Sequence, residues 1–312
     1  MEERKKQLEI VGIGACVMDT LITVPSFPEE DTKLRALESR AAGGGPAATA
    51  IAAAARLGIT AGFLGVLAGD GGGNFLYEDF RKYGVDVGHI RRLEGYRSFT
   101  SSIWLARDHA SRTCVFDKGN LPPYTLDEGG REAVAGAKLL LVDGNELEAA
   151  LEACATAGEN GTEVLYDCGG RYEGVERLLE VTDIMIPSEE FALGVTGCQT
   201  AEEAAECLYR KYHPRLTVVT CGREGGVLYD GSSLERYPAF PVEAVDTNGA
   251  GDVFHGAFGA AWIRGFTPYA CCIFASAVSA VKCMGVGARE SVPDWGTAED
   301  FLAQRGYTLE KR

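Results

Sequence analysis

The chain has 312 residues, 46% of them hydrophobic, which is enough to bury a large core in one or two domains. Its 45 Asp and Glu residues outnumber 30 Lys and Arg residues, and the net charge of −15 disfavours nucleic acid and anionic membranes as partners. No apolar run reaches the roughly 18 residues that span a bilayer. The ten cysteines contain no C-x-x-C pair. We therefore expect reduced, buried thiols in a cytoplasmic protein.

The amino-terminal part of the chain predicts a buried strand at residues 8–14, which ends in glycines. Met1 to Lys6 is charged like the start of a secretion signal, but Asp19 interrupts the apolar run that follows. Gly12 and Gly14 also match the start of a dinucleotide-binding fingerprint. Since the third glycine is missing and no helix opens there, we set that interpretation aside.

A hairpin and a helix are predicted next. Two short extended runs, Leu21 to Val24 and Leu34 to Leu37, flank two prolines and an acidic turn. A glycine turn at residues 43–45 then precedes Pro46, which suits a first helical position, and an alanine-rich helix that stops at Gly58.

The following segment predicts one strand, one helix and a second hairpin. The strand covers residues 59–66, and after a loop at residues 65–73 we expect Asn74 to cap a helix that ends at Gly84. Residues 100–106 and 112–116 alternate as hairpin strands around a polar turn at residues 107–111. With the hairpin of residues 20–40, they predict a small separate sheet.

An alternation of strands and helices follows, which is typical of a parallel sheet covered by helices. Ligands of such sheets lie beyond the carboxyl ends of the strands. Polar residues follow these strands and are pocket candidates: Asp143, Asn145, Asp167 and Arg171. The predicted strands are residues 139–142, 164–167, 183–187, 216–220, 226–229 and 234–237, with helices at 147–157, 200–211 and 269–284.

A polar loop at residues 246–252 runs into an apolar helical segment. Gly249, Ala250 and Gly251 carry little side chain, so their N–H groups can approach a ligand at a helix start, where anions bind. Asp252 would repel that anion and is therefore a candidate base for phosphoryl transfer to a hydroxyl group. The alternative is a helix-capping turn with an exposed aspartate.

The loop resembles the D-T-x-G-A-G-D signature of the ribokinase-like (PfkB) carbohydrate kinases, with Asn248 in the free position. Residues 43–58 resemble the family's G-G-x-x-x-N-x-A signature, although Thr49 stands near the usual asparagine. Softer matches occur at residues 65–73, 220–226 and 285–293. The motifs look most like those of bacterial sugar kinases of the 6-deoxy-6-sulfofructose kinase type. We do not adopt that substrate, because only Lys33 and Arg35 supply obvious cations for a sulfonate.

The resemblance implies a three-layer α/β/α fold with a mostly parallel sheet. It also implies a single domain, residues 1–312, with a β-sheet lid formed by residues 20–40 and 97–118. It implies that Asp252 is the general base and that Gly249, Ala250 and Gly251 form an anion hole. The other implied positions are Asp19, Gly44, Gly45, Asn145 and Arg171 for the sugar; Ser188, Thr220, Gly222 and Gly225 for ATP; and Asp246, Asn248, Gly285, Gly287 and Ser291 for a monovalent cation.

The expected cofactors are Mg²⁺, carried by ATP phosphates and water rather than by a protein cage, and K⁺. The usual N-x-x-E motif is replaced at Ser188 and Phe191, which leaves the metal role of that turn open. The four histidines have no zinc-ligand spacing: His89, His109, His213 and His255. The expected partners are ATP and a small sugar, with a second copy of the chain joined through the lid.

The identity of the sugar is open at this stage. Asp117 and Asp143 predict an acidic pocket rim and thus an uncharged sugar, whereas Lys33, Arg35 and Arg171 keep an anionic one possible. A nucleoside kinase of the same fold is an alternative, with aromatic lid residues to stack a base: Phe99, Trp104 and Phe116. A non-catalytic sugar sensor is a third possibility, against which the intact Asp252 argues.

Overall fold

The structure is a computed structural model that describes residues 7–108 and 111–312. The charged segment Met1 to Lys6 and His109, both considered above, lie outside the described residues, as does the centre of the turn predicted at residues 107–111.

The main sheet is mostly parallel, as predicted, and contains nine strands within the described residues. Its order is β13-β12-β11-β10-β9-β8-β1-β4-β5, and the last hairpin makes the β11-β12-β13 pairings antiparallel. The strands are β1 (Ile10–Ile13), β4 (Ala61–Ala68), β5 (Ile90–Leu93), β8 (Leu139–Val142), β9 (Glu163–Cys168), β10 (Ile184–Pro187), β11 (Leu216–Thr220), β12 (Gly226–Tyr229) and β13 (Leu234–Tyr237).

Helices cover both faces of this sheet. Alternate strand residues enter opposite cores, so that Ile10 and Leu141 lie in one core while Val11 and Leu140 lie in the other. The first core is covered by α1 (Pro46–Arg56), α2 (Gly71–Lys82), α8 (Ala250–Ile263), α9 (Pro268–Cys283) and α10 (Trp295–Ala303). The second is covered by α3 (Glu128–Gly136), α4 (Leu147–Asn160), α5 (Glu176–Leu179), α6 (Glu189–Thr196) and α7 (Ala201–Tyr212). The predicted three-layer fold is confirmed.

A separate small sheet follows the carboxyl end of β1. Its order is β3-β2-β6-β7, formed by β2 (Val17–Val24), β3 (Glu38–Gly44), β6 (Thr100–Ala106) and β7 (Ser111–Asp117). Strands β2 and β6 are parallel neighbours, so this sheet joins the two predicted hairpins. Its buried core contains Leu21, Ala42 and Ile103, whereas β7 is exposed along its whole length.

The second strand of the first hairpin was predicted wrongly. The strand is Glu38–Gly44 rather than Leu34 to Leu37, and its pairing with β2 places Gly43 opposite Met18. Gly43 and Gly44 therefore belong to a strand and not to a turn. Pairing along β2 outweighs the low intrinsic strand preference of glycine.

The start of α2 also differs from the prediction. Asp70, not Asn74, caps this helix, because its Oδ1 accepts a hydrogen bond from the N–H of Gly73 at 2.8 Å. The same carboxylate accepts from the N–H and Oγ of Ser98 at 2.9 and 2.6 Å. The cap therefore fastens the helix start to the segment that leads into β6. Elements β5, α3, α5 and α10 were not predicted.

Candidate active site

The loop of residues 246–252 ends at the first turn of α8. Gly249 is the N-cap in a left-handed conformation, with φ of 74°, and no side chain caps the helix. The N–H of Ala250 donates to the carbonyl of Thr247 at 3.2 Å. Gly251 is exposed, and a Cβ added there would have no atom within 4 Å. The helix start is therefore open to a ligand at Gly251.

Asp252 lies half-buried on the first turn of this helix and does not cap it, so it is not the exposed aspartate of the alternative interpretation, although the loop does supply the N-cap, Gly249. Burial is the main cause that raises the pKa of its carboxyl group to about 7. The negative charges of Asp167, Asp143 and Asp19 raise this pKa further, while His255 lowers it. A carboxyl group with such a pKa can accept a proton near neutral pH.

Asp167, a predicted pocket residue, forms a buried pair near Asp252 with His255, which sequence analysis did not single out as a site residue. The His255 ring has Nε2 at 3.0 Å from the Ile186 carbonyl and Nδ1 at 2.7 Å from the Gly251 carbonyl. Nδ1 also lies 3.2 Å from Oδ2 of Asp167. A histidine one turn beyond Asp252, in an apolar helix, was the available signal. The pair fixes the backbone beneath the helix start.

Asp19 lies on β2 and is buried. Its Oδ1 accepts a hydrogen bond from Oγ of Ser101 at 2.6 Å, and burial raises the pKa of its carboxyl group. A Cβ on Gly44 would lie 2.0 Å from the other oxygen of Asp19, so only glycine fits there. Gly45, with φ of 93°, follows as the N-cap of α1. The structure thus brings Asp19, Gly44 and Gly45 together, within electrostatic range of Asp252.

Asp143 is a structural residue and not part of an acidic rim. One of its oxygens accepts hydrogen bonds from the N–H groups of Ala15 at 2.9 Å and Ala47 at 3.0 Å. The other accepts from the N–H of Asn145 at 2.9 Å and from its Nδ2 at 3.2 Å. Asp143 therefore ties the end of β8 to the end of β1 and to the start of α1, and it keeps Asn145 at this edge of the sheet.

The structure also places the other two predicted pocket residues. Asp117 is exposed at the end of β7, where it lies opposite Thr100 and pairs with Arg97 at 3.0 Å, and its place on an acidic rim stays a prediction. Arg171 lies against α6, since a Cβ on Gly194 would be 2.8 Å from its Nη1. The structure does not bring Arg171 to Asp19.

A cleft of about 550 Å³ extends from Gly251 along α8 and α9. Thr220, Gly222 and Gly225, which were predicted to bind ATP, line one wall of it. Ser188 caps α6 beside Thr220, and its Oγ accepts the N–H of Phe191 at 3.2 Å. The remaining walls include Tyr237, Phe240, Val242, Phe254, Ser276, Ser279, Ala280 and Cys283. The cleft is mostly apolar and has glycine backbone at the end near Asp252.

The residues predicted to bind a monovalent cation come together at the end of α9. The two carboxylate oxygens of Asp246 accept hydrogen bonds from the N–H groups of Asn248 and Gly287, both at 2.8 Å. A Cβ on Gly285 would lie 2.8 Å from Oγ of Ser291, which donates to the Val286 carbonyl at 2.7 Å.

Lys282, which sequence analysis missed, changes the interpretation of this loop. Its Nζ donates to the Asp246 carbonyl at 2.7 Å and also to the Asn248 carbonyl. The predicted K⁺ site therefore does not fit the residues present, because a side-chain amine already binds these two oxygens. The available signal was a lysine in an otherwise small and apolar helix.

Arg289 was also missed, although it links this loop to the Asp19 side of the site. The side chain is fully buried, and its Nη1 contacts Oδ2 of Asp79 at 2.7 Å. Its Nη2 donates to the carbonyl of Gly44 at 2.7 Å. The backbone that shapes the space around Asp19 therefore depends on a side chain from the loop after α9.

No group of three His, Cys, Asp or Glu side chains that could hold a metal ion occurs in residues 7–108 and 111–312. Over the same residues, no helix is long and apolar enough to cross a bilayer. All ten cysteines are free. Five are buried, but Cys114 in β7 is exposed, which the expectation of buried thiols did not anticipate.

Comparison with known proteins identifies the family of the chain. Residues 7–295 match the model of the pfkB family of carbohydrate kinases, and the chain belongs to this family. Enzymes of this family transfer a phosphoryl group to an alcohol group, and the chain is a kinase of sugars or nucleosides.

Relatives of similar identity act on different acceptors. The chain is 26% identical to an ATP-dependent ribose-1-phosphate kinase of Halopiger xanaduensis, over 96% of this chain and 99% of the relative. It is also 26% identical to a nucleoside kinase of Methanothermobacter thermautotrophicus, over 96% and 97%. The fold is similar to that of Arabidopsis thaliana ribokinase complexed with ribose and ATP, with a TM-score of 0.84 and 24% identity over 94% and 98% of the two chains.

Proposed function

We propose that the protein transfers the γ-phosphoryl group of ATP to a primary hydroxyl group of a small sugar, with Asp252 as the general base. The observation that carries this proposal is the position of Asp252. Its carboxyl group lies beside the open helix start at Gly251, where the large cleft ends, and its pKa is raised to about 7. A base between a nucleotide-sized cleft and the buried Asp19 carboxylate can receive a hydroxyl proton as the phosphoryl group arrives.

The helix start supplies stabilisation for the transferred group. In this proposal the N–H groups of Gly249, Ala250 and Gly251 form the anion hole, aided by the positive end of α8. The N–H of Ala250 already bonds to Thr247, so we assign the larger share to the exposed Gly251. Adenosine would occupy the apolar part of the cleft against Ser276, Ser279 and Ala280 of α9, with its phosphates towards Thr220, Gly222 and Gly225.

Magnesium fits this arrangement as a companion of ATP. The described residues offer no three-carboxylate group, and Mg²⁺ is commonly bound through phosphates and several waters. The ion would neutralise phosphate charge. The residues of the chain would orient the phosphates at the glycine backbone and hold the acceptor hydroxyl at Asp252.

The acceptor would be held by Asp19, by the backbone of Gly44 and Gly45, and by Asn145. A carboxylate accepts hydrogen bonds from two vicinal hydroxyl groups. The charges of Asp19, Asp143 and Asp167 all reach Asp252, so this end of the site favours an uncharged acceptor over a sugar phosphate. The resemblance to kinases of 6-deoxy-6-sulfofructose stays a prediction. Of the cations that could bind a sulfonate, Arg171 lies against α6, and Lys33 and Arg35 are exposed.

A nucleoside is the second candidate acceptor, on the strength of one aromatic contact. Phe99 and Phe116 of the small sheet have ring centroids 5.8 Å apart. Phe116 is 60% exposed and could stack on a base.

We further propose that the small sheet is a lid of a single kinase domain and that two copies associate through it. Closing a lid excludes water, which would otherwise accept the phosphoryl group. Strand β7 offers an unpaired edge, and its Val115 and Phe116 are 66% and 60% exposed. Light scattering of the protein and of Val115→Asp would test the association, and a monomer for the unchanged chain would contradict it.

The proposed reaction is tested by measuring ADP release with Mg·ATP over pentoses, ketohexoses, their phosphates and nucleosides. We expect one small uncharged sugar to give the highest kcat/KM and Asp252→Asn to lower its turnover by about 10²–10⁴-fold. A nucleoside as the best acceptor would favour the second candidate. Binding of a sugar with no ADP release for any acceptor would support a sensor instead.

A further inference from the structure

Lys282 occupies the place that a bound cation would take beside the loop leading to Gly251. It lies in the last turn of α9 with no exposed surface, although lysine is rarely buried without a partner. Its amine donates to two backbone carbonyls, of Asp246 and Asn248, in the segment just before the α8 start. A buried side chain thus satisfies oxygens that face inward from an exposed loop.

The surroundings of Lys282 suit a fixed positive charge. Burial lowers the pKa of Lys282, and the Asp246 carboxylate opposes this shift. The carboxyl end of α9 also carries partial negative charge, which a lysine in its last turn compensates. The Asp246 carboxylate is itself held by the N–H groups of Asn248 and Gly287. Carbonyl oxygens converging beside a carboxylate are what K⁺ or an ammonium ion would bind.

Electrostatic repulsion prevents two cations from binding at this site together. A potassium ion bound to the same carbonyls would lie within a few ångströms of Nζ, and charges of one sign at that distance repel strongly where water is scarce. The loop therefore holds one cation, and the chain provides it.

We propose that the Lys282 ammonium replaces a monovalent metal ion and positions the anion-hole loop without K⁺. Lys282 does not touch the reacting atoms in this view. It acts through the carbonyls of Asp246 and Asn248, and through them on Gly249 to Gly251. The inference rests on the proposed function for its kinetic test only, because the binding of a cation can also be measured without substrates.

The first experiment compares the rate of ADP release of the unchanged protein in KCl, NaCl and tetramethylammonium chloride at equal ionic strength. We expect equal rates within about two-fold, because no ion site is left to fill. Activation by KCl of about ten-fold or more would overturn the proposal.

The second experiment removes the amine in two ways. In Lys282→Ala, which leaves space for an ion, we expect kcat to fall by about 10²-fold in tetramethylammonium chloride through misplacement of the loop. KCl or NH₄Cl should restore about ten-fold or more of this loss, because either ion can bind the freed carbonyls. Lys282→Met fills the space without a charge and should not be rescued. Lys211→Ala, at an exposed position, is the control and should behave as the unchanged protein.

A thermal unfolding series separates this inference from the proposed reaction. KCl should raise the Tm of Lys282→Ala by about 2 °C or more relative to tetramethylammonium chloride, because an ion bound to the folded state stabilises it. The unchanged protein and Lys282→Met should show no such difference.

The proposal would be overturned if KCl specifically stabilised the unchanged protein, or if no cation changed the Tm of Lys282→Ala. If Lys282→Ala does not fold, the ion dependence of the unchanged protein decides alone. Loss of the proposed function would appear as no ADP release with any acceptor, and the Tm series would still be interpretable.

Discussion

The loop before α8 and the small sheet are held in place by different means. The loop is fixed by buried charged groups, since Lys282 and Asp246 bind its backbone from α9 and from within the loop. The small sheet has a buried core containing Leu21, Ala42 and Ile103 and an exposed strand, β7. Segments with few buried apolar contacts open at lower free energy than segments fixed to a large core. In the proposed function the loop before α8 is a preformed platform for the chemistry, and the small sheet controls access to it.

The strongest test of the platform is Asp252→Asn. We expect kcat to fall by about 10²–10⁴-fold, the usual range for loss of a general base. The fold should persist, because Asp252 does not cap α8. Steady-state kinetics and the Tm check this, with the exposed Asp117→Asn as control. A rate within a few-fold of that of the unchanged protein would refute the assignment of the base.

Two glycines of the platform that are separated by Ala250 should respond differently to valine. Gly251→Val has free space and an ordinary φ, so the protein should fold while the side chain blocks the anion hole. We expect kcat/KM to fall by about 10²–10³-fold, as for the loss of an oxyanion-hole donor. Gly249→Val should lower the Tm as well, because φ is 74° and a Cβ there would lie 2.6 Å from Cβ of Ala288. Normal kinetics of Gly251→Val would mean that the phosphoryl group binds elsewhere.

On the small-sheet side, Asp19→Ala should lower kcat/KM for the best sugar. Each unpaired hydroxyl group costs about 1–3 kcal/mol, or roughly 5- to 150-fold. With the deoxy sugar that lacks the hydroxyl group bound by Asp19, Asp19→Ala should be almost as active as the unchanged protein. A double-mutant cycle that combines the substitution with the deoxy sugar measures this. Ser101→Ala removes only the neighbour of Asp19 and should have a smaller effect. Equal activity of Asp19→Ala on all sugars would place the acceptor elsewhere.

The pH dependence tests the platform without a substitution and changes the rate in the smallest steps, about ten-fold per pH unit. Asp252 must be deprotonated to act as a base, and its pKa is raised to about 7. The value of kcat/KM should therefore be constant above this pH and fall by about ten-fold per pH unit below it. A profile of kcat/KM from pH 5 to pH 9, with Mg·ATP saturating, measures this. A flat profile down to pH 5 would show that burial does not hold the proton on Asp252.

Much of the fold and of the loop before α8 was predictable from sequence because their signals are local. The bounds of β6, β8, β11, β12 and β13 agree with the predicted strands, since apolar runs between turn residues specify them. The glycine-rich loop and Asp252 are adjacent in sequence, so their order alone indicated an anion site with a base. The start of β3 was mispredicted because the glycines of its strand gain their conformation from pairing with β2.

The amino-acid sequence by itself determined the fold class, the family and the order of the site residues along the chain, because periodicity and short motifs encode these directly. Tertiary structure alone decided which polar groups are structural and which are free. Asp143 looked like a pocket residue until its oxygens were found on the N–H groups of Ala15 and Ala47. Lys282 looked like an ordinary helix residue until its amine was found on the Asp246 carbonyl. Hydrogen bonds between residues far apart in sequence depend on the packed geometry, and no local pattern specifies them.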